Sequence, residues 1–120
     1  GACYKFFAEP KTYEDARQRC AEDGGLLAMP KDRATNRFVT NHHRGSSWLG
    51  LTDINREGRW VYEDGQLLKS SGYSSWARGE PNDADYIEDC AEFTPTRAFW
   101  NDAPCNSSKP FTCQIGMYYE

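Results

Sequence analysis

The chain has 120 residues, 38% hydrophobic and 14% aromatic, with a formal net charge of −4. That length suits one domain over 1–120 and is too short for two, and its Trp, Tyr and Phe content lets rings rather than aliphatic chains build the core. None of the five cysteines (Cys3, Cys20, Cys90, Cys105, Cys113) is spaced CxxC, which speaks against zinc knuckles and thioredoxin chemistry, and no apolar run approaches the roughly 18 residues of a membrane span.

Tyr4-Lys5-Phe6 alternates as a short strand does. A helix follows, with Thr12 as N-cap, Asp15 three residues on, and Gly24-Gly25 as the stop. Tyr13, Ala16 and Cys20 share one helical face and point inward. A second, shorter helix is predicted around 34–42 with Phe38 on its buried side. Strands are predicted at 47–52 (Trp48-Leu49-Gly50-Leu51), around 59–62, at 90–94, at Phe99-Trp100 and at 111–115. Between Asp64 and Asp89 the chain is poor in periodic apolar residues and rich in Gly, Ser, Asp, Asn and Pro, a long irregular region of the kind that serves function. Helices first and strands afterwards give an α+β domain. Trp48, Trp60 and Trp100 are read as core.

Acids are crowded late in the chain. Glu80, Asp83, Asp85, Glu88, Asp89, Glu92 and Asp102 stand against Arg97 alone. Such a stretch repels itself and excludes a nucleic-acid partner on that face. Either it is a solvated acidic loop or it holds a cation. Calcium takes six to eight oxygens from carboxylates, amide carbonyls and water, and Glu80, Asn82, Glu88, Asn101 and Asp102 provide carboxylates and amides in short segments. An Asn that gives its carbonyl to a metal keeps N–H groups to donate. A sugar hydroxyl can therefore touch the ion, donate to an acid and accept from an amide together. A cis bond before Pro81 would let the side chains on either side of it project the same way, at only about 0.5–1 kcal/mol. An ordinary Pro-Asn turn beside unrelated acids is the plainer alternative.

The order Trp48-Leu49-Gly50-Leu51, Glu80-Pro81-Asn82, Glu88-Asp89-Cys90, Trp100-Asn101-Asp102 and Cys105 resembles the C-type lectin family across about residues 3–116. The first of these segments matches the family's WIGL strand with Leu at the second position. The resemblance implies two helices flanking antiparallel sheets with a long calcium-binding loop region, and bridges Cys20–Cys113 and Cys90–Cys105. It also implies a principal calcium on Glu80, Asn82, Glu88, Asn101 and Asp102, with Glu80, Asn82, Glu88 and Asn101 also contacting sugar, and a cis bond before Pro81. Asp53, Glu57, Asp83 and Asp89, with the Glu88 carbonyl, match an auxiliary calcium site. The Glu-Pro-Asn order is the family's version for mannose, fucose, glucose and N-acetylglucosamine. The galactose-type version has Gln and Asp at these two positions, which reverses the hydrogen-bond directions.

The implied function is calcium-dependent binding of mannose-type glycans, multivalently, on microbes or cells. Paired carboxylates can also hydrolyse glycosides, but acids held ionised by calcium cannot serve as general acids, so no enzymatic activity is expected. The rival reading is a protein-binding module of the same fold that does not use sugar.

With its cysteines and no start Met, the chain reads as a mature or excised extracellular piece, secreted or outside the cell, with an oligomeric parent protein as one open arrangement. Cys3 is left over; its partner lies before Gly1, in another chain, or nowhere. Tyr86 is a candidate for stacking on a sugar face, Asn106-Ser107-Ser108 is a glycosylation sequon, and His42-His43 reads as a helix-end surface pair rather than a metal site.

Overall fold

The computed structural model describes residues 2–43, 45–81, 87–94 and 99–116. The first strand is β1 (Ala2–Lys11), longer than the aromatic triplet suggests because it pairs antiparallel with β7 (Lys109–Gly116) from Ala2 opposite Gly116 to Lys11 opposite Lys109. Both ends of the described chain thus close on each other, and a partner far along the sequence sets the length of β1. Thr12 then caps α1 (Tyr13–Glu22), its hydroxyl accepting the Asp15 N–H at 3.3 Å. Tyr13, Ala16 and Cys20 are the buried face of α1, as their spacing predicts.

A two-residue strand, β2 (Leu26–Leu27), pairs with β7 before α2 (Arg33–Thr40) begins at its N-cap Asp32, whose carboxylate accepts the Thr35 N–H at 2.7 Å. The inward face of α2 is Asn36 and Val39. Phe38, expected to be buried, is 47% exposed. The cap fixes the phase of the helix so that Phe38 falls outside, where its ring meets Tyr4, Phe6 and His42. His42 stacks on Phe6 at 3.9 Å, whereas His43 is half-buried with its Nε2 2.7 Å from the Thr112 hydroxyl. The two rings are therefore not an equivalent surface pair.

The central strand β3 (Ser47–Thr52) is buried on both faces except at its last residue, which is why it reads as a continuous apolar run. Trp48 enters the cluster of Tyr13, Ala16, Cys20, Leu27 and Phe111 under α1. Leu49 and Leu51 enter a second cluster with Val39, Tyr62, Phe93 and Trp100. β4 (Val61–Tyr62), the short α3 (Leu68–Ser71), β5 (Cys90–Phe93) and β6 (Trp100–Ala103) complete the described elements. Among the described residues the strands form one sheet in the order β1-β7-β3-β5-β6, with β2 on β7 and β4 on β3. The β3–β7 contact is parallel and the other pairings are antiparallel. Cys20 is bridged to Cys113 and Cys90 to Cys105, while Cys3 is exposed on β1 and free.

Gly50 has no room for a side chain. A Cβ there would lie 2.6 Å from the Leu27 carbonyl oxygen, on a segment whose Ala28 carbonyl accepts the Gly50 N–H at 2.8 Å. Gly50→Ala is expected to destabilise the domain by about 1–3 kcal/mol through forced separation of these backbones, read from chemical denaturation. Burial holds the His43 imidazole below its ordinary pKa, assisted by the neighbouring His42 charge. The unfolded chain then binds the proton more readily than the folded one, so His43 lowers stability as pH falls below the unfolded value of about 6.5. Melting temperature is expected to fall less between pH 7 and pH 5 in His43→Gln than in the unmodified chain.

Candidate functional site

The candidate site gathers where β3, β5 and β6 run out into loops. Asp53 directly follows β3 and is 2% exposed. Its backbone N–H donates to the Asp89 carbonyl at 3.1 Å, and its Oδ2 accepts the Gly58 N–H at 2.9 Å, so one side chain closes the 53–58 loop. Gly58 takes φ +81°, a conformation that suits glycine at this turn.

Asp53, Glu57 and Asp89 each place one carboxylate oxygen within 4.8 Å of the others. The Oδ1 atoms of Asp53 and of Asp89 are buried without a hydrogen-bond partner among the described residues. Burial first, then contact with Glu57 and Asp89 and the Asp89 charge, raise the Asp53 carboxyl to about 8, with the Gly58 N–H opposing the shift. Buried carboxylates so arranged are costly unless neutralised. A calcium ion at 2.3–2.6 Å from each oxygen fits the observed spacing and the all-oxygen donor set.

On β6, Asn101 and Asp102 stand opposite Glu92 and Ala91 of β5. Asp102 is fully buried. The Asn101 Nδ2 donates to Glu92 Oε2 at 2.8 Å, and Glu92 Oε1 lies 2.9 Å from Lys109 Nζ. One of the two amide N–H groups is thus already engaged, and the amide oxygen sits on the opposite branch of the side chain. Glu92 was not among the expected site residues; its position as a buried acid on a strand was the available signal.

Glu80 arrives on a segment laced to β6. The Ala77 N–H donates to the Trp100 carbonyl and the Trp100 N–H to the Ser75 carbonyl, both at 2.8 Å, and a turn closed by Glu80 N–H to the Ala77 carbonyl at 2.9 Å delivers the acid. The Glu80–Pro81 peptide bond is cis. Glu88 is partly buried next to Asp89, just before β5. Asn82, Asp83 and Tyr86 lie outside the described residues.

Trp100 is anchored from below. Its Nε1 donates to Asn36 Oδ1 at 2.8 Å, and Asn36 Nδ2 donates to the Tyr73 hydroxyl at 3.1 Å. The Trp76 and Tyr73 rings meet Trp100 edge-on at 5.7 and 6.0 Å.

Residues 9–115 match the Lectin C-type domain family, and the chain belongs to that family. Its fold is that of a C-type lectin carbohydrate-recognition domain, a binding module rather than an enzyme. Over 116 residues it is 39% identical to Collectin-10 of Xenopus tropicalis, covering 93% of this chain and 41% of that protein. The chain thus spans about two fifths of the length of that curated relative. The cow CD23 carbohydrate-recognition domain, crystallised in the presence of a GlcNAc2Man3 oligosaccharide, superposes with a TM-score of 0.89 at 32% identity, covering 98% of this chain and 90% of that one. A calcium-independent type II antifreeze protein superposes with a TM-score of 0.87 at 25% identity, covering 96% and 86%. This fold therefore does not by itself require calcium; the donor residues decide.

Asn36→Leu is expected to cost about 1–3 kcal/mol, because the Trp100 indole N–H and the Tyr73 hydroxyl both lose their partner in a buried place. In hydrogen exchange the Ala77 amide, bonded to the Trp100 carbonyl, should lose more protection than the amides of β3.

Proposed function

We propose that the chain is a calcium-dependent lectin domain of mannose-type specificity, with residues 1–120 forming one recognition unit that works outside the cell. What carries this reading is the cluster of Asp53, Glu57 and Asp89, in which the buried Oδ1 atoms of Asp53 and Asp89 have no hydrogen-bond partner among the described residues and call for a cation. In this reading Asp53, Glu57, Asp83 and Asp89, with the Glu88 carbonyl, hold an auxiliary ion, and Glu80, Asn82, Glu88, Asn101 and Asp102 hold the principal one. Calcium, when bound, supplies the positive centre to which vicinal sugar hydroxyls coordinate. The residues do the rest: Glu80 and Glu88 accept the hydroxyl hydrogens, and Asn82 and Asn101 donate to the hydroxyl oxygens.

The hydrogen bond from Asn101 to Glu92 supports this assignment. It orients the amide, so the oxygen is presented to a metal and one N–H remains for a hydroxyl. Two hydroxyls on an open site yield about −4 kcal/mol, a Kd near millimolar, so physiological binding depends on several domains meeting a multivalent glycan surface. The two disulfides suit an oxidising, extracellular setting.

Calorimetric titration of mannose and of galactose, each with calcium and with chelator, tests the reading. Heat is expected for mannose in calcium alone, and the double variant Glu80→Gln, Asn82→Asp should shift preference toward galactose. Calcium binding without heat from either sugar would overturn it in favour of a protein ligand on the same fold.

A further inference from the structure

A hollow of about 480 Å³ opens beside the 53–58 loop, lined by Arg56, Glu57, Arg59, Trp60, Leu67 and Lys69 among others. Arg56 and Arg59 occupy the two ends of one turn, closed by Arg59 N–H to the Arg56 carbonyl at 2.9 Å, and the Asp53 side chain braces that turn through Gly58. Turn geometry keeps their Cα atoms within about 7 Å. The Leu68 N–H donates to the Trp60 carbonyl at 3.0 Å, which brings Lys69 to the same hollow from a second segment. Backbone hydrogen bonds thus hold three cations around one opening.

Their convergence on one hollow sets them apart. Lys5, Lys11, Arg17, Arg19, Lys31 and Lys109 are each ion-paired within the chain. Among the described residues Arg33, Arg37, Arg56, Arg59, Lys69 and Arg78 form no ion pair, and of these Arg56, Arg59 and Lys69 line the one hollow. The acid in the hollow, Glu57, has one oxygen within 4.8 Å of oxygens of Asp53 and Asp89, and the lining sets three cations against this single carboxylate. In an acidic protein, gathered and unneutralised cations make a local positive potential that attracts anions. Arginine forks match the planar or tetrahedral oxygens of carboxylate and sulfate, and Trp60 and Leu67 provide an apolar wall for a sugar ring. A further hollow of about 300 Å³ is also lined by Leu68 and Lys69.

We propose that this hollow is a second glycan subsite, selecting acidic saccharides through sulfate or carboxylate groups held by Arg56, Arg59 and Lys69. That the ligand is a saccharide rests on the glycan-binding function above; the charge recognition does not require calcium, and the test is run in chelator so that the two fail separately. The probes are a heparin hexasaccharide, a hyaluronan hexasaccharide and neutral chitohexaose, titrated into the whole domain at low and physiological salt.

The heparin fragment is expected to bind in chelator, more weakly as salt rises, while chitohexaose does not. Binding of hyaluronan too assigns carboxylate as sufficient; heparin alone assigns sulfate. The triple variant Arg56→Gln, Arg59→Gln, Lys69→Gln should lose at least about tenfold in affinity with its melting temperature unchanged. The control Arg33→Gln, Arg37→Gln on α2, away from the hollow, should lose little. Absence of binding by both acidic probes, equal binding of chitohexaose, an unaffected triple variant, or an equal loss in the α2 control would each overturn the proposal.

Discussion

Trp100 is the residue on which core and site both depend. Its indole N–H is satisfied by Asn36 of α2, its ring packs against Trp76 and Tyr73, and its own N–H and carbonyl bind Ser75 and Ala77. Asn101 and Asp102 follow it directly on β6. One buried side chain therefore fixes the strand carrying two proposed ligands, the segment that delivers Glu80, and the helix on the far side of the core. A long irregular segment normally loses considerable conformational entropy when ordered. Here the part from Ser75 to Glu80 is held by backbone bonds to a residue that cannot move without opening the core.

The price of a site ready for a cation is visible in the carboxylates. Asp53 and Asp89 each keep a buried oxygen without a partner, and the Asp53 carboxyl is raised to about 8. Nearby, Glu92 is equally buried but stays neutralised by Lys109 and Asn101. The contrast separates two kinds of buried acid. Glu92 has its cation built in and orients a neighbour, whereas the Asp53 group lacks one among the described residues and is crowded by its own sign. On the proposed reading, the stability of this site is linked to an ion.

Much of this was legible locally. Thr12 with Asp15, the Tyr13-Ala16-Cys20 face and the bounds of β3 are set by neighbours within a few residues, and the structure has them as the sequence predicts. What local pattern could not yield depends on distant partners. β1 extends to Lys11 and β2 exists because β7 lies alongside both. Phe38 is outside because the Asp32 cap and the buried Asn36 determine the phase of α2, and an Asn serving as the inward residue defies a reading by hydrophobicity. The proposed donors rest on resemblance to a family; the roles of Glu92 and Asn36 as supports were not legible, because each acts through another residue.

The two disulfides divide the labour between fold and site. Cys20–Cys113 spans 93 residues and ties α1 to β7, so its constraint falls on the whole chain. Cys90–Cys105 spans only 15 and joins the start of β5 to the residues just after β6. By loop-closure entropy the longer bridge restrains the unfolded chain more, by about 1.6 kcal/mol. The shorter one matters by location. Glu88 and Asp89 precede Cys90, and Asn101 and Asp102 come shortly before Cys105, so the bridge holds together two acidic segments that repel each other without a cation. Cross-linking them beside the sheet, where Ala91 already pairs with Asp102, keeps the carboxylates close by covalent and backbone bonds, independently of the ion proposed for them. On the proposed reading, a cation would bind here with less reorganisation, because the ordering is already part of the fold.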